Sequence, residues 1–413
     1  MIGRRNGPLI ALVWFGLSWA AAASAAAPSA DPHAWSAGWW PQLRIERQDG
    51  EHRLRFGGRL LLDGALIHYG EGLQLAPEVG WTDRGEMRQG RIFFEGLFFR
   101  RVELKTEVDF ALEDPTLTDA YLGLRGLGPL GTARFGHHKQ PFSFEKQMSR
   151  KYLLFMERSL CESIQPELRD IGLSLRSSAL GERLRWVLGG YRDTAPTGRD
   201  FAQPPNWSLA ARLTGLLLWE DEGRRFVHLG ASYNHQFRDD PEFRIQWRPE
   251  SFVAEPLVDT GTIEGVENID RVNLDVVWVH GPVSLQAEWN HAFLDRRTGR
   301  GDLDFWGVYV QASWFPTGEH RRYNRESGRF GPVVPRENFA PWKGRWGALQ
   351  LGARFSHLDL DDKEIHGGIE SNVGLAVNWF LFEQLRLSAN YIFGHVDGQG
   401  EVHILQGRFQ IEY

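Results

Sequence analysis

Near the end of the chain, Leu405, Phe409, Ile411 and Tyr413 share one parity, while Gln406, Arg408, Gln410 and Glu412 share the other. Side chains of a strand alternate faces, so this segment reads as a strand with one apolar and one polar face. The pattern recurs as Leu385, Leu387, Ala389, Tyr391 and Phe393 against Arg386, Ser388 and Asn390. It recurs again as Val283, Leu285, Ala287, Trp289 and Phe293 against Ser284, Gln286, Glu288 and Asn290. Nearer the start, Val102, Leu104, Val108 and Phe110 oppose Glu103, Lys105, Glu107 and Asp109. Four charges along one strand face have no place in a packed core. They fit a wet lumen behind a wall whose other face meets lipid.

About sixteen such segments run through the sequence, each near the ~10 residues of a tilted membrane-crossing strand. They fall at 53–68, 85–98, 101–112, 117–127, 131–138, 169–178, 182–193, 206–219, 224–238, 268–280, 283–296, 303–316, 345–358, 369–382, 384–396 and 402–413. Helical periodicity is absent for any length except at 144–160. Short connections such as Gly128-Pro129-Leu130 and Gly281-Pro282 alternate with long ones at 68–85, 139–168, 193–206, 239–267 and 358–369. Short periplasmic turns against long outer loops mark an outer-membrane barrel. One connection, 317–344, is long where a short turn is due. Trp219, Trp278, Trp314 and Trp379 fall at strand ends, as interfacial girdles require. The predicted fold is therefore all-β, a transmembrane antiparallel barrel of about 16 strands. A soluble sandwich with one solvated face is the alternative, but its strands are usually shorter.

The N-terminus reads as an address. Arg4 and Arg5 precede an apolar stretch from about Leu9 to Ala23, followed by Ala23-Ser24-Ala25-Ala26-Ala27. That is the form of a cleaved signal peptide. The expected division is 1–27 signal peptide, 28–52 a periplasmic N-terminal segment, and 53–413 the barrel of a Gram-negative outer membrane. Beyond Ala27 no apolar run approaches the ~18 residues of a membrane helix. Lys+Arg is 47 and Asp+Glu 53, a net charge of −6, so nothing global would neutralise nucleic-acid phosphates. With a single cysteine, Cys161, neither an intrachain disulfide nor a cysteine metal cluster is possible. No cofactor is expected.

Gly126-Leu127-Gly128-Pro129-Leu130-Gly131 matches a dinucleotide fingerprint formally, but a strand rather than a helix follows it. His137-His138 face opposite ways on a strand and chelate poorly. The acidic stretch Asp359, Asp361, Asp362 and Glu364 lacks a calcium-loop spacing. The informative cluster is basic. Lys139, Lys146 and Lys151, half of the chain's six lysines, lie within thirteen residues together with Arg150. Folded into a pore, such a loop would focus a field that draws anions in.

The residues around that loop bear a specific resemblance. The sequence is similar to the phosphate-selective porin O and P family over roughly 40–413. Arg53-Leu54-Arg55-Phe56-Gly57-Gly58-Arg59-Leu60 resembles that family's first strand. Phe144-Glu145-Lys146 through Ser149, Lys151 and Glu157-Arg158 resembles its inward-folded third loop. Leu117-Thr118-Asp119-Ala120 resembles a lumenal acid-bearing strand, and Phe243-Arg244-Ile245-Gln246-Trp247-Arg248-Pro249-Glu250 its arginine-bearing fifth loop.

The resemblance implies a sixteen-stranded homotrimer in outer-membrane lipid and lipopolysaccharide that passes small anions, in some members phosphate or polyphosphate. It implies a constriction at Arg59, Arg91, Asp119, Lys146, Ser149 and Lys151, to which Arg150 adds a cation, reached by an arginine ladder that includes Arg244 and Arg248. Parity independently turns Arg59, Arg91 and Asp119 inward. Three departures stand out: Gly90 in place of a paired arginine, Gln246 and Glu250 diluting the fifth loop, and Arg150 where phosphate-selective members carry a small hydroxyl residue. Anion preference is expected to survive them with weaker phosphate preference. Two other readings compete: a barrel with a blocked lumen, and a barrel enzyme pairing Ser149 with His137 or His138.

Overall fold

The computed structural model describes residues 33–38, 42–76, 79–111, 113–167, 169–297 and 299–413. The expected signal peptide, 1–27, lies outside them. In chain order the strands are β1 (Trp35–Gly38), β2 (Leu43–Arg47), β3 (Arg53–Tyr69), β4 (Gly80–Phe98), β5 (Val102–Asp109), β6 (Thr116–Arg125), β7 (Thr132–Lys139), β8 (Arg169–Ala179), β9 (Leu184–Arg192), β10 (Asn206–Glu220), β11 (Arg225–Arg238), β12 (Gln246–Trp247), β13 (Val258–Asp259), β14 (Val266–His280), β15 (Val283–Arg296), β16 (Leu303–Trp314), β17 (Tyr323–Asn324), β18 (Arg329–Phe330), β19 (Ala348–Asp362), β20 (Ile365–Phe382), β21 (Leu385–Val396) and β22 (Gly400–Glu412). Sixteen of them close into one antiparallel barrel, because β22 pairs with β3 from Val402↔Tyr69 to Glu412↔Arg59. Closure leaves no sheet edge in the lipid, where unpaired backbone is costly. The hairpin β1–β2 extends the first residues of β3, with Leu43 opposite Phe56.

The alternation predicted for the strands is that of the wall. Leu285, Phe293 and Leu405 are exposed on the outside, while Gln286, Glu288, Asn290, Gln406 and Arg408 are buried toward the inside. Bulges reverse it locally, two of them with consequences for the lumen, since an extra residue flips everything beyond it. In β10 the register shifts between Leu216 and Leu218. Trp219 therefore turns inward onto Phe226 and Tyr323 rather than joining the outer girdle, whereas Trp278 and Trp314 remain exposed outside. In β4 the register passes from Gln89 to Met87, which brings Arg88 into the lumen against Glu157.

Connections differ from expectation in two places. The stretch 358–369 is not a long loop: β19 and β20 run on to a tight turn at Lys363 and Glu364. The aspartates that suggested a solvated loop instead accept backbone N–H groups, Asp359 from Asp361 at 3.0 Å and Asp361 from Gly368 at 2.7 Å. The helical pattern at 144–160 yields one helical turn, Phe144–Gln147, and isolated tight turns. The anomalous connection between β16 and β19 is long as predicted, and its small hairpin β17–β18 folds back into the barrel: Phe330 packs with Phe144, Met148 and Phe226.

Candidate functional site: a basic lumenal cavity

The segment 140–167 crosses the lumen because the wall satisfies its backbone. Glu288 on β15 accepts the N–H groups of Phe144 (3.1 Å) and Glu145 (2.6 Å), capping the start of the helical turn. Lys139 at the end of β7 donates to the carbonyls of Lys146, Gln147 and Met148, each at 2.9 Å, and so caps its end. Farther along, Glu157 collects Arg88 (2.8 and 3.0 Å), Arg150 (3.2 Å) and Arg408 (2.9 Å). The returning segment meets this loop from the other end of the barrel: Arg329 donates to the Gln147 carbonyl and Arg321 to the Tyr152 carbonyl, both at 2.7 Å.

Between the loop, the returning segment and the wall β3–β10 lies a cavity of about 320 Å³. Eleven arginines and three lysines line it, against three carboxylates, Glu95, Glu107 and Asp119. Of the residues singled out in sequence, Arg59, Arg91, Asp119, Ser149, Arg150 and Lys151 come together on its surface. The Ser149 hydroxyl is buried with no hydrogen-bond partner among the described residues. Neither histidine bonds it: His138 Nε2 lies 2.8 Å from Ser174 Oγ and His137 Nε2 lies 3.3 Å from Thr194 Oγ1.

Three of the singled-out residues lie elsewhere. Lys146 is buried and gives its ammonium to the Pro166 carbonyl, because the helical turn points it away from the cavity. Arg244 and Arg248 belong to the hairpin β12–β13 at the long-loop end. Arg244 is half exposed and forks onto Asp259, its Nε 2.7 Å from Oδ1. The hydrogen bond from Arg244 holds the Asp259 carboxyl below the usual carboxylate range. Arg248 donates to the Ala254 carbonyl at 2.7 Å and lies over Phe252. The hairpin is anchored by Ile245, Leu257 and Val258, which join Ile67, Tyr69, Ile392 and Val402 in an apolar cluster that fills that side of the mouth.

Other cavity cations are not among the residues singled out in sequence, Arg134, Arg169, Arg176, Arg185, Arg212 and Arg329 among them. The strand-borne ones were accessible to parity counting, whereas Arg329 sits on a segment with no periodicity to read. The inward arginines are also less free than parity implies. Arg59 and Arg91 both reach Glu107 (3.2 and 2.7 Å), Arg91 also reaches Asp109 (2.6 Å), and Asp119 holds Lys105 (3.0 Å) and Arg169 (2.8 Å).

A closed barrel with an apolar outer face and a charged, partly open lumen defines an outer-membrane channel, a porin through which small solutes diffuse passively. Residues 67–413 match the model of the family described as phosphate-selective porin O and P, and the chain belongs to that family. It is thus a channel and not an enzyme. It is 23% identical over 393 residues to Porin O of Pseudomonas aeruginosa, covering 86% of each protein. Among solved structures it resembles a loop L8 deletion mutant of OmpT, an outer membrane protein of Vibrio cholerae (TM-score 0.57, 11% identity, 88% of this chain and 100% of that one). It also resembles an anion-selective porin from Comamonas acidovorans (TM-score 0.55, 12% identity, 88% and 100%). At those identities the likeness is one of fold.

Proposed function

We propose that the barrel prefers small anions, oxyanions such as phosphate or polyphosphate among them. The observation that carries this reading is the lining of the cavity, fourteen cationic side chains against three carboxylates in a chain whose overall charge is negative. Net charge reports the whole surface; permeation responds to the field at the narrowest point, where low-dielectric walls concentrate it. Arg59, Arg91, Arg150 and Lys151 replace part of the hydration shell, Ser149 offers a hydrogen bond to an oxyanion, and Asp119 keeps neighbouring cations from holding an anion too tightly. The phosphate selectivity for which the family is described and the anion selectivity of the Comamonas porin agree with this chemistry.

In the same reading the first 27 residues direct export and are removed, and the barrel works as a homotrimer amid lipid and lipopolysaccharide. Backbone closure alone does not demand a trimer, so cross-linking in mild detergent decides that part: only monomer would count against it. The central test is a planar bilayer under a salt gradient. An anion-selective reversal potential is expected, and a cation-selective one overturns the proposal.

A further inference from the structure

We infer that Glu107 is a resident counter-anion that sets how tightly the constriction holds a passing oxyanion. This rests on the anion-selective reading above and names the residue that tunes it. Glu107 lines the cavity, and two of the constriction's cations, Arg59 and Arg91, converge on its Oε1. Arg91 donates to it at 2.7 Å, Arg59 at 3.2 Å, and the Thr118 hydroxyl at 2.9 Å. A permeant oxyanion needs the same donors, since charge-assisted hydrogen bonds from guanidinium groups hold such anions. Glu107 therefore occupies with a fixed oxygen the place a mobile one would take.

The backbone is shaped for this. The register of β5 with β6 passes from Glu107↔Asp119 to Val108↔Leu117, so Thr118 bulges out of the ladder. Thr118 and Asp119 then both face inward and are buried, which frees the threonine hydroxyl to reach the carboxylate. The neighbouring carboxylates are committed differently. Asp109 shares Arg91 (2.6 Å) but also accepts the backbone N–H groups of Gly90 (3.1 Å) and Ala111 (3.2 Å), so it staples the end of the strand. Asp119 is taken by Lys105 and Arg169. Among the described residues Glu107 accepts no backbone N–H, and the one cation paired with its second oxygen is Lys105, at 3.9 Å. Removing its charge leaves Arg59 without its carboxylate partner and Arg91 with Asp109 alone, while the amide oxygen of a glutamine still accepts from Thr118.

The experiment compares wild type, Glu107→Gln and Glu107→Asp in planar bilayers, with inorganic phosphate titrated against chloride current. Glu107→Gln should lower the half-blocking phosphate concentration by about 10- to 100-fold, the worth of one or two charged hydrogen bonds, with anion selectivity retained. Glu107→Asp keeps the charge and should stay within about threefold of wild type, so it also controls for assembly. Unchanged or weaker phosphate block in an assembled, anion-selective Glu107→Gln channel would reduce Glu107 to a structural brace. Should Glu107→Gln not assemble, the charge-balanced pair Glu107→Gln with Arg91→Gln serves instead. Block tighter than in Arg91→Gln alone supports the inference, and equal block overturns it. A cation-selective wild type is a separate result: it overturns the anion reading itself and this inference with it.

Discussion

Along β3–β10 most of the inward arginines face a cavity, although Arg88 is held by Glu157 of the third loop, whereas along β14–β22 the same residue type is buried under loops. On the packed side Arg271 donates to the Ile164 carbonyl (3.1 Å), Arg386 to that of Leu153 (2.9 Å) and Arg408 to that of Met156 (2.7 Å). Arg354 reaches the Glu157 carbonyl and clamps Glu250 at 2.7 Å. These side chains fasten the third and fifth loops to the wall. On the open side Arg59, Arg91, Arg134 and Arg185 line water-accessible space. One barrel thus uses arginine as mortar on one half and as lumenal charge on the other. What decides is whether a loop covers it, because a buried charge must be paired while a lumenal one can keep part of its hydration.

The sharpest way to break this contrast is to remove one arginine from each side. Arg354→Met would leave Glu250 and Glu145 buried without their cation, a loss of about 3–5 kcal/mol. It should lower the thermal midpoint of the barrel in detergent and make the single-channel current noisy as the loops come loose. Arg185→Met removes a side chain bonded to the Arg325 carbonyl and should cost no more than about 1 kcal/mol. Equal losses would mean that the two halves of the wall are not distinct.

Phosphate affinity is the next largest effect. Gly90 stands beside Arg91, and Arg88, another arginine that β4 sends inward, is engaged by Glu157. One charged hydrogen bond fewer costs about 1.5–3 kcal/mol where it is desolvated, so half-block of chloride current by phosphate is expected well above the micromolar range. Half-block at micromolar phosphate or lower would show that the diluted arginines do not matter.

A smaller effect separates the two lysines of the third loop. Lys151 lies on the cavity and Lys146 does not. Lys151→Glu should cut the anion-to-cation permeability ratio by roughly tenfold, as a charge reversal worth about 1–2 kcal/mol at an intermediate dielectric would. Lys146→Gln should leave that ratio unchanged and instead lower the thermal midpoint, because its partner is a buried carbonyl. Equal shifts in selectivity would place Lys146 on the permeation path.

The barrel was legible because its signal is periodic and repeated: strands such as Val283–Arg296 and Arg169–Ala179 lie within a residue or so of where alternation puts them. Arg59, Arg91 and Asp119 were legible as inward residues for the same reason. Arg88 was not, since a bulge inverts parity and nothing in the local composition announces it. Lys146 and Lys151 look equivalent in sequence, yet the helical turn capped by Glu288 separates their directions. Arg329 depends on a segment that re-enters the barrel, a tertiary event carried by Phe144, Phe226 and Phe330. The partners of each cation, Glu107 above all, are fixed by strand register, which parity alone does not supply.

The smallest expected effect lies on the packed side, at the hairpin β12–β13. Phe243 N–H donates to Ile263 at 2.9 Å and Thr260 N–H to Ile245 at 2.9 Å, and the Arg244–Asp259 pair closes the end of this ladder. Asp259 is held below its ordinary value by that arginine, with help from the Gly261 N–H at 2.9 Å. A carboxylate lowered in the folded state contributes stability that is complete above its unfolded value, near 3.9, and is lost as pH falls through the lowered one. Backbone hydrogen exchange across 243–263, corrected for its intrinsic pH dependence, should therefore be flat from pH 8 to about 5 and rise only in stronger acid. Because the arginine is half exposed, the pair contributes little, and Asp259→Asn at neutral pH should mimic the acid state with a modest rise in exchange confined to the hairpin. Chloride conductance should not move, since the pair lies on the covered half of the mouth, away from the cavity lining. Loosening of the hairpin between pH 7 and 5, or a change of conductance with Asp259→Asn, would show that the covered half takes part in permeation and that the division of the lumen is less strict than the packing implies.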